Sequence, residues 1–375
     1  MESKFPFIKK KLGFGCMRLP KKDKEIDHEE FSKMVDVFIE RGFNYFDTAH
    51  GYLRGASETA LRECLVKRYP RESYVLTNKL STFHFEKEED IRPLFEEQLK
   101  ACGVDFFDFY LMHAQSATLY EKYKRCRAYE VSLELMKEGK FKHFGISFHD
   151  EAPLLDKILT EHPEIEVVQL QINYLDYEDA AVQGRLCLEV CKKHGKPVIV
   201  MEPVKGGSLV DLPSNAKAVF DALGDKLSYA SYAIRFAAGL DGVVSVLSGM
   251  SDMAQTLDNT SYMSSFAPLD EKEHSAISRV RDIFASQNII PCTACRYCID
   301  SCPMKISIPD LFACLNAKKT FNNWNSDFYY NDVHTVDKGK ASDCIECGRC
   351  EEVCPQKLNI RELLKTVAES FEKKA

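Results

Sequence analysis

Four side chains suited to proton transfer stand at the ends of apolar runs. Asp47 closes the run Phe43, Tyr45, Phe46, and Tyr52 follows in the adjoining loop. Lys79 ends a second run at 74–79, and His113 follows a third at 107–112. A free phenol titrates near pH 10, too high for an efficient acid at neutrality. A buried ammonium beside it stabilises the phenolate and lowers that value. Lys79 suits this task if a carboxylate holds it, and Asp47 is the carboxylate at hand. His113 would hydrogen-bond the oxygen that receives the proton. Taken singly, such an Asp caps a helix, such a Tyr is an exposed aromatic, and such a Lys or His is a satisfied side chain. Four together at successive strand ends point to protonation of a carbonyl oxygen.

A second constellation lies downstream. Eight of the fifteen cysteines form two copies of Cys-x-x-Cys-x-x-Cys-x-x-x-Cys-Pro. Cys292, Cys295, Cys298 and Cys302 make the first; Cys344, Cys347, Cys350 and Cys354 make the second. Structural zinc uses two separated cysteine pairs. A third and a fourth cysteine followed by proline, twice over, favours iron–sulfur. The spacing resembles that of bacterial ferredoxins, where three thiolates of one run share a [4Fe–4S] cluster with the fourth of the other. That pattern implies one cluster on Cys292, Cys295, Cys298 and Cys354, and a second on Cys344, Cys347, Cys350 and Cys302.

The elements that must position these groups alternate. Strands are expected at 43–46, 74–79, 107–112, 142–148, 167–172, 198–201 and 243–247, with a short eighth near 264–266. Residues 11–17 read as a short strand or hairpin. Helices are expected between the strands: one from Asp27 to Gly42 with Glu30 completing a capping box, one opened by Ser57, one capped by Asp90 and ended by Gly103, and one at 129–138. Others begin at Asp150 and cover 181–194, 226–238 and 251–260. Nearly uniform apolarity marks strands buried on both faces. Eight strand–helix units in about 260 residues fit a (β/α)₈ barrel. The alternative, a doubly wound open sheet, usually carries G-x-G-x-x-G after its first strand, and none follows any strand here. The expected division is a barrel over 1–266, a helical connector over 267–290 and an iron–sulfur domain over 291–375, with helices at 308–317 and 360–371. The long insert between the cysteine runs holds Phe321, Trp324, Phe328, Tyr329 and Tyr330. These suit either cluster shielding or an ordinary small-domain core.

Phe46-Asp47-Thr48-Ala49, Tyr52, Lys79 and Asp108-Phe109-Tyr110-Leu111-Met112-His113 together resemble the aldo-keto reductase superfamily, over roughly residues 5–266. The resemblance implies a barrel that binds NADP or NAD without a Rossmann motif and reduces an aldehyde or ketone, or oxidises the alcohol. It implies Tyr52 as acid/base, Lys79 and Asp47 as its tuning pair, and His113 as the orienting group. For the cofactor it implies Ser147 and Gln171 at the carboxamide, with Phe148 where the family has Asn, and Met201 against the nicotinamide. Gly206 and Gly207 fall in the pyrophosphate loop. Gly249, Met250, Ser251, Gln255 and Asn259 fall in the adenosine-phosphate segment. Gly249 and Gln255 stand where NADP-preferring members carry Lys and Arg, removing the donors a 2′-phosphate wants. The cysteine region resembles the α-helical dicluster ferredoxins.

A net charge of -7 argues against a nucleic-acid footprint. No apolar run reaches the roughly 20 residues needed to span a bilayer, and the start lacks a signal-peptide core, so a cytoplasmic protein is expected. Clusters carry single electrons and a nicotinamide carries a hydride, so a direct relay needs a mediator such as a flavin. Three readings follow. The barrel is a carbonyl reductase whose clusters exchange electrons with a flavin or a redox partner protein. Alternatively, the chain is an electron-transfer protein whose barrel docks a flavin or a partner. In the third, the clusters are structural or sensing. Cys64, Cys102, Cys187 and Cys191 read as core, and Cys16 as near the cofactor.

Overall fold

The structure, a computed structural model, describes residues 4–286, 290–321, 324–354 and 356–372. Eight parallel strands close into a barrel: β1 Leu12–Gly15, β2 Tyr45–Asp47, β3 Val75–Leu80, β4 Phe107–Gln115, β5 Phe141–Phe148, β6 Val167–Gln171, β7 Val198–Met201 and β8 Val243–Ser248. β1 pairs with β8 on one side and β2 on the other. Residues 264–266 form no strand; Ser264 ends the helix Met253–Ser264. The missing eighth strand is therefore Leu12–Gly15, at the other end of the chain. Asp47, Lys79 and His113 thus stand on the second, third and fourth strands rather than on the first three.

The barrel interior is filled by Tyr45, Val75, Phe109, Leu111, Val167, Ile199 and Leu247, with Phe5 and Ile8 packed against them. The rings of Phe5 and Phe109 meet edge-on at 4.9 Å. Close strand approach explains one glycine: a β-carbon on Gly145 would lie 2.6 Å from both Leu111 and Val167. Outside, helices cover the strands with apolar faces. His28–Glu40 is typical. The Asp27 carboxylate accepts from the Glu30 amide, and Phe31, Met34, Val35 and Phe38 are buried, each worth roughly 1.5–3 kcal/mol. Gly42, with φ of 84°, ends it.

Two expected caps act differently. Asp90 lies inside Glu88–Cys102 and accepts from the amides of Glu86 and Lys87. Asp150 precedes Ala152–Glu161 but accepts from the Ala117 amide, tying two loops together.

Glu271–Ser286 packs on Ser214–Asp221. Arg235 fixes it to the barrel by gripping both oxygens of Glu273 at 2.5 and 3.0 Å. Beyond it the chain is helical: Ile308–Phe321, Trp324–Phe328, Tyr329–His334 and Ile360–Phe371 surround a separate core of Leu311, Phe312, Leu315, Tyr330, Leu364 and Val367. Ala181 and Val182 of the barrel belong to that same core. His334 Nε2–H donates to the Ala181 carbonyl at 3.1 Å, and Lys338 donates to Glu151 at 2.9 Å. The cysteine module is thereby seated on the mouth of the barrel, over the loops that follow β5 and β6.

Candidate active site and cysteine module

Asp47 ends β2, and Lys79 is the last residue but one of β3, so both point from strand ends into the mouth. Lys79 is fully buried and Asp47 nearly so. The ammonium donates to Asp47 Oδ1 at 2.5 Å, to the Thr48 carbonyl at 2.8 Å and to the Tyr52 hydroxyl at 3.3 Å. Gln169, on β6, donates to the other oxygen of Asp47 at 3.0 Å. All three ammonium protons therefore have partners, and the carboxylate cannot swing away. Burial opposes the charge on Lys79, but Asp47 and Tyr52 outweigh it and hold the ammonium above its usual range.

The half-buried Tyr52 departs from expectation in one respect. Burial pushes its phenol above the usual value, and the Lys79 ammonium, which pulls the other way, does not overcome it. Tyr52 is thus protonated at neutrality. Its ring meets the His113 ring edge-on at 5.9 Å. Burial holds His113 well below its usual value, with the Lys79 charge adding to the effect, so the imidazole is neutral. Its Nδ1 lies 2.5 Å from the Ser81 hydroxyl.

Below this group runs a buried hydrogen-bond chain: His50 to Glu58 at 2.8 Å, Asn78 to Glu58 at 2.7 Å and Gln98 to the Lys79 carbonyl at 2.9 Å. Ser81, Gln169 and this chain were not marked by sequence. Ser81 lies two residues beyond Lys79 and Gln169 two before Gln171, and inward-facing strand periodicity is the signal that could have found them. Cys16 is buried, and burial raises its thiol well above the usual value.

The expected cofactor residues divide. Ser147 lies buried at the end of β5, its hydroxyl accepting from the Ala114 amide at 2.8 Å. Gln171 donates to Asp176 at 2.8 Å and accepts from Asn325 of the cysteine module at 3.2 Å. Met201 pairs with it across β6 and β7. Gly206 and Gly207 have φ of 66° and 104°, and a β-carbon on Gly206 would come within 3.6 Å of the Arg18 guanidinium. One on Gly249 would lie 3.6 Å from Arg18 as well. Arg18, absent from the motif reading, therefore sits between the two loops expected to hold phosphates. Met250 is core. Asn259 is buried, donating to Ser248 and accepting from Tyr262. Gln255 turns back on Asp252 at 2.8 Å and accepts from the Ser251 amide at 2.9 Å. Asp252 caps the helix Met253–Ser264.

Cys292, Cys295, Cys298 and Cys354 line one pocket. Cys302, Cys344, Cys347 and Cys350 line another. Each quartet takes three cysteines from one run and the fourth from the other. The two loops repeat the same backbone: Ala294, Arg296 and Lys305 have positive φ, as do Glu346, Gly348 and Lys357 at matching offsets. Such turns direct amide N–H groups into a concavity, which suits an anionic group. Four cysteine sulfurs flanked by such turns suit an iron–sulfur cluster in each. Pro355 of the second run lies outside the described residues.

A profile of the aldo/keto reductase family matches residues 11–282, and a 4Fe-4S dicluster domain matches 291–359. The chain is 29% identical to 4-dihydromethyl-trisporate dehydrogenase of Mucor mucedo over 55% of its own length and 67% of that protein's. It is 28% identical to NADH-specific methylglyoxal reductase of Escherichia coli over 47% of its own length and 57% of that protein's. The fold matches a Klebsiella pneumoniae aldo-keto reductase solved in complex with NADPH, at a TM-score of 0.58 and 18% identity, covering 72% of this chain and 90% of that one. The chain belongs to the aldo/keto reductase family and carries a 4Fe-4S dicluster domain.

Proposed function

We propose that this oxidoreductase reduces an aldehyde or ketone, or oxidises the corresponding alcohol, with Tyr52 as the proton donor. The observation that carries the reading is the buried chain Gln169–Asp47–Lys79–Tyr52 beside a neutral His113. A bound nicotinamide supplies the hydride. His113, with Ser81 donating to Nδ1, presents its Nε2–H to the carbonyl oxygen and orients it. Tyr52 then delivers its proton to that oxygen. Lys79 stabilises the phenolate left behind, and Asp47 keeps the ammonium charged and aimed. Ser147, Gln171 and Met201 would flank the nicotinamide, and Gly206, Gly207, Gly249 and Ser251 its phosphates, with Arg18 between. Gln255, Met250 and Asn259 support these loops. An acid, Asp252, stands at the helix start where a 2′-phosphate would fall, so we read NADH as preferred over NADPH. Replacing Tyr52 by Phe tests the assignment: turnover falls by about 10²–10⁴-fold while nicotinamide still binds, and unchanged turnover ends the proposal.

The two cysteine quartets would each hold a [4Fe–4S] cluster, which supplies single-electron storage. The crossed grouping of the cysteines around two cavities supports this. The barrel occupies 1–266, the connector 267–290 and the cluster domain 291–375 in this reading. Among the described residues no helix is long and apolar enough to cross a membrane. With clusters and unpaired thiols, we place the chain in the cytoplasm, with a small carbonyl or alcohol as substrate and a redox protein as partner.

One observation favours a second reading, an electron-transfer protein whose barrel docks a flavin or partner. Gln171 is already engaged by Asp176 and Asn325, leaving less of its amide for a nicotinamide. A census of iron, sulfide, flavin and nicotinamide in anaerobically purified protein separates the two. Nicotinamide without flavin supports the reductase; flavin without nicotinamide supports the alternative.

A further inference from the structure

His149 stands in the barrel mouth, and the mechanism above does not use it. It follows directly on β5, where side chains alternate between the two faces of the sheet. A β-carbon on Gly145 would strike Leu111 and Val167 of the barrel interior, and Ser147 and His149 are next in that inward alternation. The His149 amide donates to the carbonyl of Gln115 at 2.9 Å, at the end of β4, the strand that carries His113. Neighbouring strands lie about 4.8 Å apart, so the two imidazoles stand side by side. Burial first, and then the Lys79 charge, hold His149 at about 4, and His149 in turn adds to the effects that lower His113. Both rings are therefore neutral at pH 7.

The hydrogen-bonding capacity of this ring is unspent. His149 is 9% exposed, and its Nδ1 is enclosed without a partner. Among the described residues no hydrogen bond engages Nε2 either, and Nε2 is not enclosed. A ligand therefore meets the ring at Nε2. From the other side Phe328 of the cysteine module packs on it edge-on at 5.5 Å, with Trp324 6.1 Å from Phe328. A neutral imidazole has one N–H and one lone pair, so Nε2 donates or accepts according to the tautomer. A hydroxyl answers both cases, because it donates and accepts. A carboxylate gains no ion pair from a neutral ring, and the nearby Lys79 ammonium is already matched by Asp47.

We infer that His149 Nε2 binds a hydroxyl beside the reacting carbonyl, so that the substrates of this barrel are hydroxy aldehydes or hydroxy ketones. The inference rests on the reading of the chain as a carbonyl reductase and names the substrate class of that site. His113 takes the carbonyl oxygen and His149 the neighbouring hydroxyl, which grips a short substrate at two points on adjacent strands. An analogue with a methyl in place of the hydroxyl covers Nε2 and leaves it unpaired, which disfavours it by about 10-fold or more.

The test compares hydroxyacetone with butan-2-one, which differ by a hydroxyl for a methyl, on anaerobically purified full-length protein. Binding without nicotinamide is read from the fluorescence of Trp324, the single tryptophan, and reduction as kcat/KM with NADH. Hydroxyacetone exceeds butan-2-one by about 10-fold or more in both measurements. His149→Phe keeps an aromatic ring against Phe328 and removes the nitrogens; it brings both ratios close to unity. His149→Gln keeps an N–H and restores part of the preference. Melting temperature verifies that both variants are folded. No binding of hydroxyacetone, a parent ratio close to unity, or a ratio unaltered in His149→Phe overturns the inference. So does an equal loss of both ketones in that variant, which a purely structural ring would give. If neither ketone is reduced, the reductase reading fails, and the binding ratio still decides the role of His149.

Discussion

The Asn325 amide donates to Oε1 of Gln171 at 3.2 Å, joining residues 154 positions apart and in different modules. The cysteine module is thus part of the barrel mouth. Phe328 adds to this, its ring meeting that of His149 edge-on at 5.5 Å. The side chains at the end of β6 are therefore held in part by the module that sits on them.

Asp47→Asn leaves Lys79 buried without its counter-charge. Breaking one side of a buried pair costs about 3–5 kcal/mol. The variant should melt earlier and lose carbonyl reduction, whereas Lys79→Met, which removes the charge itself, should lose activity with a smaller drop in melting temperature. Equal melting of Asp47→Asn and the parent protein would refute the pairing.

The pH profile follows from Tyr52. Its phenol is held above the usual value, chiefly by burial, so it stays protonated through neutrality. Reduction should be level with pH up to about 10 and fall above it. Alcohol oxidation, which needs the phenolate, should rise across the same range. Because burial lowers His113 well below its usual value, no inflection from that imidazole is expected near pH 6.5. A reduction rate already falling between pH 7 and 9 would contradict the assignment.

Arg18 lies between the Gly206 and Gly249 loops, and Asp252 caps the next helix. Arg18→Ala should raise the KM for NADH by about 10-fold, about 1.4 kcal/mol, with kcat little changed. Asp252→Ser should improve NADPH relative to NADH. Steady-state kinetics with both dinucleotides decides, and an unaltered NADPH:NADH ratio in Asp252→Ser would remove Asp252 from the specificity argument.

Iron content tests the crossed cysteine quartets. Intact protein should hold about eight irons and two clusters. Cys292→Ser with Cys354→Ser strikes one quartet and should leave about four irons. Cys344→Ser with Cys354→Ser strikes both and should deplete both clusters. Equal iron in the two double variants, or stoichiometric zinc, would count against the grouping.

Glu151 links the modules. Its carboxyl is held at about 2, first by His334 and then by Lys338 against the opposing effect of burial. A lowered folded value means the contribution is complete above pH 4.5 and is lost as pH falls towards 2. At neutrality Glu151→Gln should cost up to about 3 kcal/mol. The difference in melting between parent and variant should narrow below pH 4.5; a constant difference would show that charge at Glu151 is irrelevant.

Much of this was legible in the chain itself. Asp47, Tyr52, Lys79 and His113 announce themselves because strand ends are fixed by local apolar runs. The cysteines do so because their spacing is short-range. Seven of the barrel strands follow from the same local signal. The eighth, Leu12–Gly15, lies within the stretch 11–17 that reads as a short strand or hairpin, but its place in the barrel is set only by its pairing with β8 and β2. Gln169 on Asp47, Arg18 between two glycine loops and Asn325 on Gln171 were likewise settled only by folding. Each joins residues whose separation in sequence carries no pattern, and closure of the barrel and docking of the module bring them within reach.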